Sequence, residues 1–267
     1  MTLRMMRFVF FACLALSSVA VAAAAQAPLP LQEGEQLTYR VAWGIFGRAG
    51  EIKIEAATET NDGVPNLVVT TTTQTRGVLK RLFPFEARGE SIFELPSGRL
   101  MLLTEASESG KKKTNSAISF NYETRTARYT DFLDSKKNAD IEIPPGEDLR
   151  DLITSLVQTR MWELKPGEKR DINVVFEDDI YQLTVHALGY EVIETEIGRF
   201  NTLMLEPRME KTPPKGMFRR GSRVHVWIAQ DDPRRLPVRF EVEFKFGAGI
   251  ATIEAYTPPG GAPPSAD

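Results

Sequence analysis

Two histidines, His186 and His225, are the side chains best suited to acid–base chemistry near neutral pH. A catalytic histidine needs a nucleophile within hydrogen-bond reach and a third group that orients it. The alternation of the surrounding residues places His186 on the solvent face of a strand, and the chain contains no Gly-x-Ser-x-Gly turn. We therefore expect no catalytic residue and no enzymatic activity, with a hydrolase as the least favoured alternative.

Groups that could hold a metal ion are also sparse. Zinc requires three or four Cys, His or carboxylate ligands, whereas the only cysteine, Cys13, lies in an N-terminal apolar run. The acidic strings 177–179 and 231–232 lack the ligand spacing of a calcium loop and are typical of turns. The chain has no Walker loop and no Gly-x-Gly-x-x-Gly string. The sequence predicts no metal and no cofactor.

The first candidate for binding is the segment 78–85, which joins two expected strands. Three apolar residues of this segment share one face at helical spacing, and two cations stand beside them. Such a flap suits a membrane surface or a lid over a cavity for a lipid-like ligand. The alternative is a plug of ordinary core at one end of a barrel. The candidate ligand-binding residues are Leu79, Lys80, Arg81, Leu82 and Phe83.

The second candidate is the loop 211–220, which is rich in proline and glycine. Met217 and Phe218 stand between cations in this loop, an arrangement that suits an anionic lipid or an acidic protein partner. The alternative is a solvated connection with one buried phenylalanine. We predict Met217 and Phe218 as ligand-binding residues.

The elements that position these segments are mostly strands. Apolar and polar residues alternate with period two in stretches such as 37–43, 52–56 and 238–246, which indicates strands with one buried and one solvated face. Asn61-Asp62-Gly63 is typical of a hairpin turn. The pattern predicts a mainly β fold, with one antiparallel curved sheet or half-open barrel of about a dozen strands.

One segment has helical instead of strand periodicity. From Asp148 to Trp162 the apolar residues recur at steps of three and four, and Pro166-Gly167 follows them. Asp148 is the expected N-cap. The pattern predicts a single amphipathic helix on which the sheet is wrapped, with Leu156 towards the sheet and Arg150 away from it.

The two ends of the chain differ from the rest. A basic start, an apolar run over residues 8–16 and small residues up to Ala27 predict a signal peptide over residues 1–25, cleaved near Ala25. Its removal takes the formal charge from −3 to −5, a mild acidity that argues against nucleic acid as a partner. We expect a single β-rich domain over residues 26–257 and a disordered Pro- and Gly-rich tail over 258–267.

Several strings resemble the bacterial family catalogued as domain of unknown function 3108. These strings are Gly34-Glu35-x-Leu37-x-Tyr39 with Trp43-Gly44 and Ala49-Gly50, then Leu164-x-Pro166-Gly167-Glu168, Gly198-x-Phe200-x-Thr202-Leu203 and Val226-Trp227-Ile228 with Arg234-Arg235-Leu236-Pro237. The resemblance runs over roughly residues 33–256. It implies an envelope location and an all-β body, and it brings no activity, cofactor or catalytic residue. We interpret most of these strings as structural, with Gly44, Gly50 and Gly198 in turns that need positive φ.

These observations favour a non-catalytic periplasmic envelope protein. The first hypothesis is a binding or carrier module for a lipid-like or other apolar ligand, because apolar ligands commonly occupy the mouths of β-barrels. The alternative is an envelope assembly or scaffold protein that binds a protein partner. A peripheral membrane contact is compatible with both hypotheses, and the sequence leaves the oligomeric state open.

Overall fold

The computed structural model describes residues 29–145, 149–218, 222–244 and 247–261. These ranges contain fifteen strands, two α-helices and three short 3₁₀ turns. The strands are β1 (Gln36–Trp43), β2 (Phe46–Asn61), β3 (Val64–Thr75), β4 (Phe85–Glu94), β5 (Leu100–Ser109), β6 (Lys112–Asn121), β7 (Thr126–Asp131), β8 (Ala139–Glu142), β9 (Arg150–Asp151), β10 (Lys169–Phe176), β11 (Asp179–Thr195), β12 (Gly198–Arg208), β13 (Arg223–Ala229), β14 (Pro237–Phe244) and β15 (Gly247–Thr257). The helices are α1 (Gly77–Leu82) and α2 (Leu152–Gln158).

All fifteen strands belong to one sheet, in the order β8-β7-β6-β5-β4-β3-β2-β1-β15-β14-β13-β12-β11-β10-β9. Two meanders therefore meet where the first strand pairs with the last, and Leu37 lies opposite Tyr256 in this junction. Among the described strands, only β9 and β10 pair in parallel. The sheet ends at β8 and β9, and the described pairing does not join these two strands, so the barrel stays open.

The mainly β prediction is confirmed, but the strand count was too low and the single helix was wrong. The structure has fifteen strands where the sequence predicted about a dozen, and it has α1 in addition to α2. The shortest strands, β8 and β9, contain four and two residues. Such short strands were missed because alternation needs at least four or five residues to become visible.

The predicted helix over 148–162 is shorter in the structure. Helix α2 covers seven residues and continues into a 3₁₀ turn, Thr159–Met161. Asp151 is its N-cap, because its carboxylate accepts hydrogen bonds from the backbone N–H groups of Ile153 (2.9 Å) and Thr154 (3.0 Å). The expected cap, Asp148, lies outside the described residues. Helical spacing could not show that the residues just before Asp151 pair with β10 as a strand.

The expected outward position of Arg150 was also wrong. Arg150 lies in β9 and is only 1% exposed. Its guanidinium donates to Gln158 Oε1 (2.9 Å) and to the carbonyl of Leu149 (2.8 Å). The guanidinium carbon also lies 5.2 Å from the centre of the Phe93 ring. A residue in the strand that precedes a helix does not follow the helical stripe, and this change of element explains the error.

The sheet buries two apolar clusters. The larger cluster fills the concave side and includes Leu37, Tyr39 and Phe93, none of which is measurably exposed. The second cluster lies under α2 and includes Leu156, Trp162 and Leu203. On β13 the side chains alternate between the two clusters, with Trp227 in the first and Val226 and Ile228 in the second. The β10–β13 region is therefore buried on both faces, and α2 packs against it.

An ion pair seals one end of the sheet, which we call the closed end. The Arg160 guanidinium donates to both carboxylate oxygens of Glu35, at 2.7 and 2.9 Å. The Tyr256 hydroxyl donates to the same carboxylate (3.1 Å), and Arg235 donates to the carbonyl of Arg160 (2.7 Å). The Glu35 side chain is fully buried. Two of the strings that carry the family resemblance, at 34–39 and 234–237, therefore have a structural role here.

The described part of the tail lies beside the start of the described chain. The N–H of Gly260 donates to the carbonyl of Glu33 at 3.3 Å, so the start and end of the described chain are neighbours. The disorder expected over 258–267 stays a prediction. Residues 262–267 and the expected signal peptide lie outside the described residues.

Candidate functional site: a cavity at one end of the sheet

The topology gathers the two candidate binding segments at the end of the sheet opposite the closed end. In an antiparallel meander the connections alternate between the two ends. The connections after β1, β3, β5, β7, β10, β12 and β14 therefore share one end, which we call the cavity end. The segment 76–84 follows β3, and the segment 209–222 follows β12.

The interior face of the sheet changes character towards the cavity end. On β3 the inward residues Leu67 and Val69 are buried in the core, and the next inward residues are Thr71, Thr73 and Thr75. Side chains alternate along a strand, so these threonines stay on the core face. Short side chains fill less volume than leucine or phenylalanine, and cavities remain in this half of the sheet.

The most apolar of these spaces has a volume of about 610 Å³. Its walls come from β1, β2, β3 and the start of β4, and α1 covers it. The lining residues are Val41, Trp43, Phe46, Ala49, Gly50, Thr73, Gln74, Thr75, Leu79, Phe83 and Phe85. Most of these groups are apolar, and the volume is within the range of small-molecule sites, roughly 300–1,000 Å³.

Gly50 is a wall residue that sequence reasoning misassigned. Gly50 lies inside β2, where a Cβ atom would stand 2.6 Å from the Gln74 carbonyl oxygen. The expected turn with positive φ at this position was wrong, because glycine is required here by the close approach of β3. The expectation is correct for Gly44 (φ +55°) and for Gly198 (φ +142°).

Helix α1 is anchored at its start. Gly77 has φ +58°, which turns the chain into the helix, and the Arg76 N–H donates to the Ala49 carbonyl at 2.9 Å. The Arg76 guanidinium also contacts the Glu51 carboxylate at 2.8 Å. All residues of α1 are described, and none of them is buried. The helix therefore covers the cavity without contributing a side chain to the core.

The five residues proposed in this segment have different positions. Leu79 and Phe83 line the apolar cavity, although Phe83 is 69% exposed. Leu82 is 60% exposed and is absent from the described lining. Lys80 and Arg81 are exposed, and the Lys80 ammonium lies 3.3 Å from a carboxylate oxygen of Glu86. The structure thus separates two lining residues from three that face solvent.

The second pair, Met217 and Phe218, lies in a different place. These residues line a narrow apolar cleft of about 50 Å³ with Leu152 of α2 and Tyr181 of β11. Lys215 closes the cleft, because its ammonium contacts the Tyr181 hydroxyl at 2.9 Å. Residues 219–221 lie outside the described residues. The structure therefore does not bring Met217 and Phe218 into the cavity below α1.

A polar compartment adjoins the apolar cavity, and the two spaces share Thr73 and Phe85. It has a volume of about 430 Å³ and is lined by three carboxylates and several hydroxyl groups. The polar lining includes Thr71, Ser91, Glu105, Ser107, Thr114, Ser116, Tyr129, Asp151 and Glu177. Ser91 Oγ donates to Asp151 Oδ2 at 2.6 Å, so the helix cap also forms part of this wall.

Glu105 is the most perturbed carboxyl of this compartment. Burial, with smaller contributions from the nearby carboxylates of Asp151 and Glu177, raises its pKa from 4.5 to about 7. The compartment therefore holds a group that gains and loses a proton near neutral pH. Sequence reasoning missed Glu105, although period-two alternation does place it on the same face as the buried Leu103. This alternation is the sequence signal that could have identified Glu105.

The two histidines contact a carboxylate and an aromatic ring, respectively. Within the described ranges, no group of three His, Cys, Asp or Glu side chains is placed to hold a metal ion. His186 Nε2 lies 2.8 Å from a carboxylate oxygen of Glu210. The ring of His225 packs 5.7 Å from that of Trp227. Among the described helices, none is both long and apolar enough to cross a bilayer.

The open, curled sheet with cavities at one end defines a β-barrel-like architecture. A crystal structure of a β-barrel-like protein of domain of unknown function DUF1849 from Brucella abortus has a TM-score of 0.53 and 5% identity. That similarity covers 86% of this chain and 98% of the Brucella chain, and it shows the fold.

Two further solved structures show weaker similarity. A candidate exported protein with a YmcC-like fold from Bacteroides fragilis has a TM-score of 0.33 and 13% identity. A candidate lipoprotein from Parabacteroides distasonis has a TM-score of 0.32 and 10% identity. Each covers 86% of this chain and 98% of its own.

The sequence comparison gives the family. Residues 38–255 match the family described as Protein of unknown function (DUF3108). The match covers most of the chain, so the chain belongs to this family, and the resemblance noted over residues 33–256 is confirmed. No curated protein matches the sequence of the chain.

Proposed function

We propose that the protein is a non-catalytic, exported envelope protein that binds or carries a lipid-like apolar ligand. The observation that carries the proposal is the apolar cavity of about 610 Å³, which is covered by a helix with no buried residue. A cover that does not belong to the core can open without unfolding the core. Leu79 and Phe83 are the contacts that α1 offers to the ligand. The location rests on the N-terminal signal-peptide pattern, with cleavage near Ala25.

The adjoining polar compartment favours an amphipathic ligand. An apolar chain below α1 would have its polar group near Thr73, where the apolar and polar spaces meet. The carboxyls of Glu105 and Glu177 line the polar side, and hydroxyl groups stand beside them. Carboxylates and hydroxyls accept hydrogen bonds from hydroxyl or ammonium groups. We propose a head group that donates hydrogen bonds to these carboxyls. Arg88, a cation in the same lining, is paired with the Glu90 carboxylate at 2.5 Å.

The test compares a substitution at Phe83, the C-cap of α1, with one at Leu82, the last residue of the helix. Phe83→Ser removes a lining residue, whereas Leu82→Ser removes an exposed neighbour of similar apolar character. We expect Phe83→Ser to weaken uptake of a fluorescent long-chain alcohol about tenfold, because burial of an apolar side chain stabilises a complex by roughly 1.5–3 kcal/mol. Leu82→Ser should leave uptake unchanged, and both variants should keep the melting temperature of the wild type.

Native mass spectrometry of the purified chain supplies the second readout. A carrier should retain a ligand mass from the expressing cells, and Phe83→Ser should lose it. Equal uptake by both variants, together with an empty wild-type chain, would contradict the carrier proposal. A lower melting temperature for Phe83→Ser would instead indicate that α1 stabilises the fold.

An assembly protein that binds a protein partner is the second candidate function. The observation that favours it is an exposed apolar row on β11, formed by Leu188 (38% exposed), Tyr190 (64%) and Val192 (45%). Such a row on a solvent face is typical of a contact surface. Tyr190→Glu should abolish capture of a partner from the envelope fraction without changing ligand uptake.

A further inference from the structure

Large apolar side chains are concentrated at the cavity end of the sheet. The described residues include thirteen exposed large hydrophobic residues, and eight of them lie in or beside the connections after β1, β3 and β7. We call these eight residues the apolar rim. They are Trp43, Ile45, Phe46, Val78, Leu82, Phe83, Phe132 and Leu133. Soluble domains rarely expose so many at one place unless the surface binds something.

The β1–β2 hairpin shows that turn geometry does not demand these residues. Trp43 pairs with Phe46, so Gly44 and Ile45 form a two-residue turn. Gly44 supplies the positive φ (+55°) that such a turn requires at its first central position. Ile45 follows it and is 94% exposed. A polar residue would serve this turn equally well, so the isoleucine calls for another explanation.

The three parts of the rim are close together. Trp43 and Phe46 line the same cavity as Phe83, which brings the hairpin and α1 side by side. Leu133 lines a neighbouring cleft with residues 72–74 of β3 and with Glu86 at the start of β4. The segment after β7 therefore reaches the strands that carry α1. The hairpin and the α1 segment therefore stand beside the apolar cavity, and the segment after β7 stands beside the neighbouring cleft.

Basic residues accompany the rim. The connections 44–45, 76–84, 110–111 and 132–138 contain six basic residues and one acidic residue. The connections 62–63, 95–99 and 122–125 at the opposite end of the same strands contain two of each. The large apolar residues within those connections, Leu95 and Tyr122, pack against the core. Positive charge thus lies beside exposed apolar groups at one end, although the whole chain is formally −3.

We infer that the cavity end docks on an anionic lipid bilayer. The apolar rim enters the interfacial region of the bilayer, and Lys80, Arg81 and Lys111 contact lipid phosphates. Apolar side chains with flanking cations are the combination that binds anionic interfaces. This inference goes beyond the proposed carrier function and does not depend on it, because it concerns the outer surface of the connections. It would place the mouth of the cavity against the lipid.

The test measures sedimentation of the mature chain with vesicles. The wild type should bind vesicles of phosphatidylcholine with phosphatidylglycerol, and it should bind pure phosphatidylcholine vesicles more weakly. Binding should fall in 0.5 M salt, because salt screens the contribution of the cations. Ile45→Asp should reduce binding at least about tenfold. Ile45 makes little contact with the fold, so the melting temperature should not change.

Val64→Asp is the matched control. Val64 is 38% exposed and begins the strand after the hairpin turn at the opposite end of the sheet. The Val64→Asp variant should bind vesicles as the wild type does. Absence of wild-type binding to the anionic vesicles would overturn the inference, and so would equal loss in both variants. A dimer in solution that Ile45→Asp dissociates would also overturn it, since the rim would then be a contact between two copies. None of these measurements requires a ligand in the cavity.

Discussion

At the scale of single residues, the site depends on which side chains replace core residues on the inward face. On β3 threonines follow Leu67 and Val69, and on β2 Gly50 stands beyond Ile52 and Ile54. The space that these small residues leave becomes cavity. Glu105 occupies the same inward face on β5, where a leucine would otherwise extend the core. Replacement of apolar groups by polar ones costs packing free energy. Polar residues that replace core residues at one end of a fold are typical of a functional site.

Glu105 makes stability depend on pH. Its pKa is about 7 in the folded chain, against an ordinary value of 4.5, so the folded state keeps a proton that the unfolded chain has lost. The free energy of unfolding should therefore fall as the pH rises from about 4.5 to about 7. At pH 8 the cost should be about 3.5 kcal/mol, since the pKa differs by about 2.5 between the two states and one pKa unit corresponds to about 1.4 kcal/mol.

Glu105→Gln should remove that cost. Urea unfolding at pH 5 and pH 8 measures the free energy of unfolding. Between these two pH values, Glu105→Gln should lose less of this free energy than the wild type does. Glu108→Gln is the matched control on the same strand, because the Glu108 side chain is 64% exposed. If the wild type and both variants show the same change in the free energy of unfolding between pH 5 and pH 8, Glu105 is not buried in the folded chain.

At the scale of elements, α2 holds the two apolar clusters together. Val157 belongs to the large cluster, and Leu156 belongs to the cluster under the helix. The seven-residue helix has buried side chains on successive positions, from Thr154 to Val157. A short helix enclosed on both sides derives its stability from packing, since isolated helices of this length are not stable in water.

Leu156→Ala should lower the free energy of unfolding by about 2–5 kcal/mol, the usual loss for a buried leucine. Leu156 is 5% exposed. Met161 is the control, because it lies on the same apolar pattern of the sequence but is 43% exposed. Met161→Ala should change stability by about half a kcal/mol or less. Equal losses in urea unfolding would show that Met161 is packed and that the helix has another orientation.

The sequence pattern predicted some features of the fold and could not predict others. Alternation predicted the long strands, since one face of each is buried, and helical spacing predicted a helix between residues 148 and 162. The start of that helix depends on the carboxylate of Asp151, three residues after the predicted cap, Asp148. The sequence pattern also could not show the pairing of β1 with β15, because that contact joins residues more than 200 positions apart.

The candidate site was predictable to a similar degree. The apolar face of α1 was visible because three large residues stand where a strand connection needs none, and Leu79 and Phe83 do line the cavity. Glu105 and Gly50 were missed, because their roles depend on how far the sheet curls. The curl follows from the sum of many strand twists, which period-two patterns do not encode.

At the scale of the whole molecule, the two ends of the sheet have different tasks. The ion pair of Glu35 and Arg160 seals the closed end with buried hydrogen bonds. The cavity end has threonines, carboxylates and an exposed helix in the corresponding positions. The proposed carrier role would use this difference, because the buried ion pair would hold the closed end together while a ligand enters at the cavity end.

The junction of β1 with β15 has a consequence for the order of folding. During synthesis from the N-terminus, β1 lacks its partner β15 until residue 257 has been added. The pairing in the middle of the sheet therefore forms last. Long-range pairing of this kind slows folding. A circular permutant that links residue 261 to residue 29 and opens between Asp62 and Gly63 would make β15 and β1 successive strands. The neighbouring termini allow this linkage, and stopped-flow refolding of the permutant should be faster than that of the natural order at similar stability.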